Sequence, residues 1–293
     1  MNDRNATGST TFTWRATLVA AICIIAMSFG GAALAQSHDH AATVVVAHDY
    51  NFAGPAELTP GWHYVTLDNQ GTEPHHLQFA RLKEGATPDE FFAALQSEGE
   101  SALRMVTMTG GVGIIPPGGS GEVLVDFTQP GIYVELCFVP NSEGVPHLAL
   151  GMAGVVVVAG QAAEVPEPTA DIEVRMSDFS YSLPSTITPG PHTWKIVNDG
   201  PQPHEMLVFR LNDDSTVGDF MAALATGDIA ALPGEVFGGA QGLEAGLASY
   251  IDYDLPGGNY VVICLIPDPA SGQPHVALGM VAKFSVADTA AGN

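Results

Sequence analysis

The chain has 293 residues and a formal net charge of -23, with 32 Asp and Glu against nine Lys and Arg. So few basic residues exclude the clustered positive surface that nucleic acids and anionic membranes require. The apolar content of 46%, together with 33 Gly and 21 Pro, excludes an acidic disordered chain and indicates a globular protein with many turns.

The first 35 residues have the pattern of a secretory signal peptide. Arg4 and Arg15 precede an apolar run, 16–29, and the small-residue sequence Ala-Leu-Ala at 33–35 follows it. We expect cleavage after this sequence and export to the periplasm or the medium; an uncleaved membrane anchor is the alternative. Cleavage leaves a short His-containing tail, 36–41.

An internal repeat divides the remaining chain. The Pro-His pair at 74–75 recurs at 203–204, and the motif Pro-His-x-Ala-Leu-Gly-Met at 146–152 recurs at 274–280. An offset that stays nearly constant over such distances predicts two duplicated domains. The predicted boundaries are domain 1 at 42–158, a Pro- and acid-containing linker at 159–170, domain 2 at 171–287 and a tail at 288–293.

Each repeat has the pattern of short strands separated by turns that contain Pro, Gly or Asn. In the first repeat the predicted strands are 43–48, 63–67, 75–82, 122–127, 132–138 and 149–158. Thr87, followed by Pro88 and then Glu90, predicts the N-terminus of one short helix. Residues 220–224 repeat its apolar face. The fold class is therefore all-β: two tandem antiparallel β-sandwiches, each with one short helical insertion.

Each repeat keeps two His, one Cys and one Met at equivalent positions. They are His75, Cys137, His147 and Met152 in the first repeat, and His204, Cys264, His275 and Met280 in the second. Two imidazoles and a thiolate in a plane, with a weak and long axial thioether bond, form the donor set of a blue-copper centre. One His lies on a strand, the Cys ends a later strand, and the other His and the Met occupy the next loop. The four side chains can thus converge at one end of a sandwich.

This pattern resembles the cupredoxins, the plastocyanin and azurin type of blue copper domain, duplicated in tandem over nearly all of the chain after the signal segment. The resemblance rests on the two Pro-His pairs and on two Cys…His-x4-Met motifs, at 137–152 and 264–280. It implies two cupredoxin-like Greek-key sandwiches with one type 1 copper each, cycling between Cu(I) and Cu(II). It also implies that His147 and His275, on an exposed loop, are the points of electron entry.

Two assignments have alternatives. His76 follows His75 and could compete as the first ligand. We prefer His75, because it has a His counterpart in the second repeat and because strand alternation turns the next side chain to the opposite face. A Cys137–Cys264 disulfide is conceivable in an oxidising compartment, although it would join the same end of two separate domains.

Copper nitrite reductases and multicopper oxidases also duplicate this fold. Their additional copper is ligated by a His directly before the Cys or by paired His-x-His motifs, whereas Leu136 and Ile263 precede the cysteines here. We therefore expect no enzyme activity and an exported one-electron carrier. Copper storage or delivery, or a metal-free structural or interaction module, are the alternatives.

The excess of acidic residues predicts a basic redox partner, such as a cytochrome or an oxidase. We expect the protein to bind no nucleic acid and not to insert into a membrane after signal cleavage.

Overall fold

The structure, a computed structural model, describes residues 42–162, 166–226 and 231–288. The predicted signal peptide and the His-containing tail lie outside the described residues. Within these ranges, every helix is too short or too polar to cross a membrane. The strands of the first repeat fall within 43–158 and those of the second within 172–286, while the exact domain boundaries stay a prediction.

The first repeat contains nine strands and one α-helix among its described residues. The strands are β1 (Thr43–His48), β2 (Asn51–Ala53), β3 (Glu57–Leu58), β4 (Trp62–Asn69), β5 (His75–Leu82), β6 (Val106–Ile115), β7 (Ser120–Asp126), β8 (Gly131–Leu136) and β9 (Ala153–Val158). Helix α1 (Pro88–Glu98) connects β5 to β6 through a 3-10 segment, Gly99–Met105.

The second repeat follows the same order. Its strands are β10 (Ile172–Ser177), β11 (Ser180–Ser182), β12 (Thr186–Ile187), β13 (His192–Asn198), β14 (His204–Leu211), β15 (Gly234–Leu243), β16 (Ala248–Tyr253), β17 (Gly258–Ile263) and β18 (Val281–Val286). Helix α2 (Val217–Ala225) connects β14 to β15. The all-β prediction, with one short helix in each repeat, is confirmed.

The strands form two large sheets, and each sheet contains strands from both repeats. The smaller sheet has the order β11-β10-β13-β16-β7-β4-β1-β2, and the larger has the order β12-β18-β17-β14-β15-β6-β5-β8-β9-β3. The pairing is mixed, which differs from the antiparallel prediction. β1 is parallel to β4 and β3 is parallel to β9, and the second repeat has the same two pairs. Two tandem cupredoxin-like sandwiches account for this arrangement.

The repeats meet through equivalent strands. β6 pairs antiparallel with β15, with Val112 opposite Ala240, and β7 pairs antiparallel with β16, with Leu124 opposite Tyr250. Because each strand pairs with its own counterpart, an approximate two-fold axis relates the repeats. Both sheets therefore continue from one repeat into the other.

Helix α1 begins where the sequence predicts. The Thr87 hydroxyl accepts a hydrogen bond from Glu90 N at 3.3 Å, and the Glu90 carboxylate accepts one from Thr87 N at 3.1 Å. This reciprocal capping satisfies backbone N–H groups that the first turn leaves free. Phe91 and Leu95 are buried against β5 and β8, on the face of the larger sheet that points away from the sandwich core. The helix thereby covers a second apolar surface and leaves the core to the candidate ligands.

Candidate metal centres

Short loops at one end of each sandwich carry the predicted ligands. His75 opens β5, Cys137 directly follows β8, and His147 opens a 3-10 turn, His147–Leu150, that leads to Met152 and β9. Gly151 ends this turn with φ 104°, a left-handed conformation that favours glycine. The second repeat has the same arrangement, which includes a turn at His275–Leu278.

In the first repeat the two histidines and the cysteine converge on one point. His75 Nδ1 lies 3.0 Å from His147 Nδ1, and Cys137 Sγ lies 4.0 Å from the first nitrogen and 3.6 Å from the second. The opposite ring nitrogens face carboxylates: His75 Nε2 lies 3.2 Å from Asp49 Oδ1, and His147 Nε2 lies 2.9 Å from Glu73 Oε2. The Glu73 contact is short but is not aligned as a regular hydrogen bond.

The second repeat has the same geometry with one change. His204 Nδ1 lies 3.0 Å from His275 Nδ1, and Cys264 Sγ lies 3.4 Å from His275 Nδ1. His204 Nε2 lies 2.9 Å from Asp178 Oδ1. His275 Nε2, however, lies 3.0 Å from the neutral amide oxygen of Gln202. The ligand atoms of each cluster lie within 4.8 Å of one another.

The donor chemistry of these clusters fits a metal ion. Carboxylate and amide oxygens only accept hydrogen bonds, so they favour the tautomer that carries its proton on Nε2. The Nδ1 lone pairs of both rings then point at each other and at the sulfur. A cation between them would relieve this concentration of lone pairs. Outer oxygens that orient the rings of metal-ligating histidines in this way are a usual second layer of metal sites.

No sequence motif predicted the residues that carry these outer oxygens. Asp49 and Asp178 are separated by 129 residues, as are Glu73 and Gln202. The two Pro-His pairs are separated by the same number of residues. The internal repeat could therefore have predicted that these four residues occupy equivalent positions. Among 32 acidic residues, no local motif distinguishes those that face a histidine.

A tight loop before β5 brings Asp49 and His75 together. Asn69, which is fully buried, donates from Nδ2 to Ile115 O at 2.9 Å and accepts from Gly71 N at 2.9 Å. A Cβ on Gly71 would lie 2.4 Å from Asp49 Oδ1 and 2.7 Å from His75 Nε2. This position therefore needs glycine for space. Asn198 and Gly200 repeat the arrangement in the second domain.

Cys137 and Cys264 are fully buried free thiols, so the alternative disulfide between them does not form. Burial raises the pKa of Cys137 to about 12, which backbone N–H groups of His76 and Val139 partly oppose. Burial likewise raises the pKa of the Cys264 thiol. Because the metal ligand is the thiolate, metal binding at either site must displace a proton.

His76 lies outside the cluster. Its Nε2 accepts a hydrogen bond from Phe138 N at 2.8 Å, and its ring stacks on Phe138 with centroids 5.9 Å apart. Glu205 occupies the same position in the second repeat and accepts from Leu265 N at 2.8 Å. The residue after each first histidine thus holds the backbone just beyond the cysteine. Burial lowers the pKa of His76 to about 3, so the ring stays neutral.

Met152 and Met280 are fully buried in the sandwich core. Met152 N donates to His147 O at 3.0 Å, and its carbonyl oxygen accepts from Cys137 N at 3.3 Å. Met280 N donates to His275 O at 2.9 Å. The two methionines therefore follow the clustered histidines in space as well as in sequence, and their role as axial ligands stays a prediction.

The loop histidines are not exposed, which corrects the expectation that they form open points of electron entry. His147 and His275 are both 0% exposed. Tyr50 covers the first ring edge-on at a centroid distance of 5.1 Å, and Phe179 covers the second at 5.2 Å. Neither ring therefore presents an open edge to the solvent.

The two clusters lie far apart. His75 is opposite Ile115 on β6, and His204 is opposite Leu243 on β15. The register of β6 on β15 separates these positions by about six residues along the strands, at about 3.4 Å per residue. Three strand spacings of about 4.8 Å separate β5 from β14 in the sheet. The centres are therefore roughly 25 Å apart.

No protein-family model and no curated protein match the chain. Among solved structures, reduced auracyanin from Roseiflexus castenholzii is 23% identical, covering 41% of this chain and 100% of its own, with a TM-score of 0.28. A multicopper oxidase is 18% identical, covering 84% and 87%, with a TM-score of 0.25. Copper nitrite reductase from Nitrosomonas europaea is 15% identical, covering 87% and 93%, with a TM-score of 0.23. Identities this low concern the fold and not the activity.

These matches correct one prediction. The expectation of no enzyme activity does not stand, because proteins named as a multicopper oxidase and a copper nitrite reductase match over most of the chain. That expectation rested on Leu136 and Ile263 standing where a further metal ligand was sought. Ligands of a second metal can also come from distant segments or from another subunit, so local motifs do not exclude them.

The remaining observations agree with one another. The described chain holds two strand-built repeats, and each has a buried His/Cys/His cluster of the donor types that copper binds. These sandwiches and their two candidate copper sites fit a two-domain cupredoxin-like protein.

Proposed function

We propose that this chain is an exported copper protein that transfers single electrons through a type 1 centre in each domain. The proposal depends chiefly on the paired clusters, in which two Nδ1 atoms and one Sγ converge in a buried pocket. Bound copper would supply the Cu(II)/Cu(I) couple. The ligands would be those predicted from the sequence, including Met152 and Met280.

The protein residues would contribute a fixed and dry environment. All four clustered histidines are fully buried, and burial lowers the pKa of each one, so the rings stay neutral and available as ligands. Outer oxygens hold the rings in place, and the sheets fix both cysteines. A site that moves little between two oxidation states exchanges an electron with little reorganisation.

The signal-like N-terminal segment supports export, and the net charge of -23 supports a basic protein as the electron donor or acceptor. Exposed acidic groups on the loop that carries His147, such as Glu143, would attract such a partner. Association should then weaken as ionic strength rises.

The decisive experiment is the copper-to-protein ratio and the visible spectrum of the oxidised full chain. We expect two coppers per chain and an intense thiolate-to-copper absorption. The variants Cys137→Ser and Cys264→Ser should each lose one copper and about half of the absorption, since each removes one thiolate. Ala80→Ser, which places a hydroxyl at another fully buried position, is the matched control and should keep both coppers.

Other results would contradict the proposal. A chain that takes up no copper would be a metal-free module. Copper bound without the absorption and without a reversible one-electron couple would indicate storage or delivery instead of electron transfer.

A further inference from the structure

The two candidate centres differ in one contact that the repeat otherwise conserves. In the first repeat the loop histidine, His147, faces the carboxylate of Glu73 at 2.9 Å. In the second repeat its counterpart, His275, faces the neutral amide oxygen of Gln202 at 3.0 Å. A negative charge thus adjoins one ligand ring and a dipole adjoins the other.

From this difference we infer that the two copper centres have unequal reduction potentials, with the first domain the lower of the two. The inference rests on the proposed function. Glu73 places its charge against His147, and a nearby negative charge favours Cu(II) over Cu(I) because Cu(II) carries one more positive charge. Gln202 offers His275 only an amide dipole.

Other acids near the two centres do not account for the difference. Asp49 and Asp178 occupy equivalent positions and contact the equivalent histidines, at 3.2 and 2.9 Å. The buried glutamates of the two repeats are not equivalent. Glu135 lies two residues before Cys137, whereas Glu205 directly follows His204, where the first repeat has His76. A charge on Glu205 favours Cu(II) in the second domain and so opposes the difference, but its carboxylate accepts a hydrogen bond from Leu265 N and does not contact a ligand ring.

One further acid in the second repeat acts at a distance. Asp268 accepts a hydrogen bond from Gln202 Nε2 at 3.0 Å, so its charge is separated from His275 by the whole amide group. Asn141 is the uncharged counterpart of Asp268 in the first repeat. The separated charge offsets part of the difference but lacks the direct contact that Glu73 makes.

The covering residues strengthen the contrast. Tyr50 donates a hydrogen bond from its hydroxyl to Glu73 Oε2 at 3.1 Å, which holds the carboxylate beside His147. Phe179, its counterpart over His275, has no hydroxyl to donate. Both residues adopt a left-handed backbone, with φ of 64° and 62°, so their placement is the same and only their chemistry differs.

Unequal potentials give a single electron a preferred position. When one electron is supplied by an external one-electron donor, it would reside at equilibrium in the second domain. An electron placed first in the first domain would leave it, with Cu(I) oxidised there to Cu(II) as Cu(II) in the second domain is reduced to Cu(I). No proton or bond changes in this exchange. The chain would thereby have an electron-donating and an electron-accepting end.

The test is a redox titration of the visible absorption of the copper-loaded full chain, in which Cys264→Ser isolates the first centre and Cys137→Ser isolates the second. We expect a lower potential for the first. Glu73→Gln, which copies the second repeat, should raise it by about 59 mV, a tenfold change in the ratio of Cu(I) to Cu(II) affinity. Glu143→Gln removes an exposed charge from the loop that carries His147 without touching a ligand and should leave the potential unchanged.

Asp268→Asn, which copies the first repeat, provides a second measurement. It should raise the potential of the second centre by less than Glu73→Gln raises that of the first. Equal potentials in the two isolated centres would overturn the inference, as would a first-centre potential that Glu73→Gln leaves unmoved or an Asp268→Asn effect of the same size. A chain without any reversible couple would instead overturn the proposed function, and this inference with it.

Discussion

Gly71 offers a direct test of how the loop before β5 builds the first centre. Its backbone φ is not in the left-handed region, so Gly71→Ala acts through space alone. The added Cβ would lie 2.4 Å from Asp49 Oδ1 and 2.7 Å from His75 Nε2, where ordinary contacts begin at about 3.4 Å. Either the carboxylate or the ring must move, and the 3.2 Å contact between them must lengthen.

The cost follows from this overlap. Overpacking of a tight site lowers the free energy of unfolding by about 1 to 3 kcal/mol. Loss of an outer oxygen that orients a ligating histidine lowers metal affinity by about 10- to 100-fold. We therefore expect both effects in Gly71→Ala. Denaturant unfolding of the copper-free chain measures the first, and copper competition with a chelator, in a Cys264→Ser background, measures the second.

Two matched glycines complete the design. Gly200→Ala should produce the same loss at the second centre, since its Cβ would lie 2.8 Å from His204 Nε2. Gly218 lies in helix α2 with its nearest atom at 3.5 Å, so alanine there should stabilise the chain by about 0.5 to 1 kcal/mol and leave copper affinity unchanged. Wild-type stability and wild-type affinity in Gly71→Ala would refute the reasoning.

Three further outcomes are expected. Thr87→Ala removes the hydroxyl that caps helix α1 and should lower the free energy of unfolding by about 1 kcal/mol in denaturant titrations; no loss would show that the cap is redundant. Phe220→Ala empties a fully buried site against Phe209 and should cost about 3 to 5 kcal/mol in the same assay, whereas a cost below about 1 kcal/mol would contradict the packing of α2. In the doubly oxidised chain, pulsed electron paramagnetic resonance should give a copper–copper distance of roughly 25 Å, and a distance below about 15 Å would contradict the described sheet register.

The sequence was informative where the repeat presented the same chemistry twice. His75 and His204, with the cysteine and histidine of each later loop, stand at matching offsets, and the structure brings each trio together. Helix α1 was predictable because the Thr87 and Glu90 capping pattern is local. Both features are recognised from residue types in short motifs: the ligand residues of each motif, and the capping residues at the start of the helix.

Other features depend on contacts that no local pattern encodes. The parallel pairing of β1 with β4, and the continuation of both sheets from one repeat into the other, arise from register between distant strands. The burial of His147 depends on Tyr50, almost a hundred residues earlier in the chain, which folds over its ring. Neither strand register nor the covering of a loop is visible in hydrophobic periodicity.

The seam between the repeats also limits how the chain can be divided. A fragment with one repeat would expose β6 and β7 as open sheet edges, each with a row of unpaired backbone groups. Because each of these strands pairs with its own counterpart in the intact chain, a second copy of the same fragment offers the missing partner. We expect an isolated repeat to form a homodimer in which both sheets continue across the interface, as they do in the intact chain. The duplicated chain thus resembles a dimer whose subunits have been joined into one polypeptide.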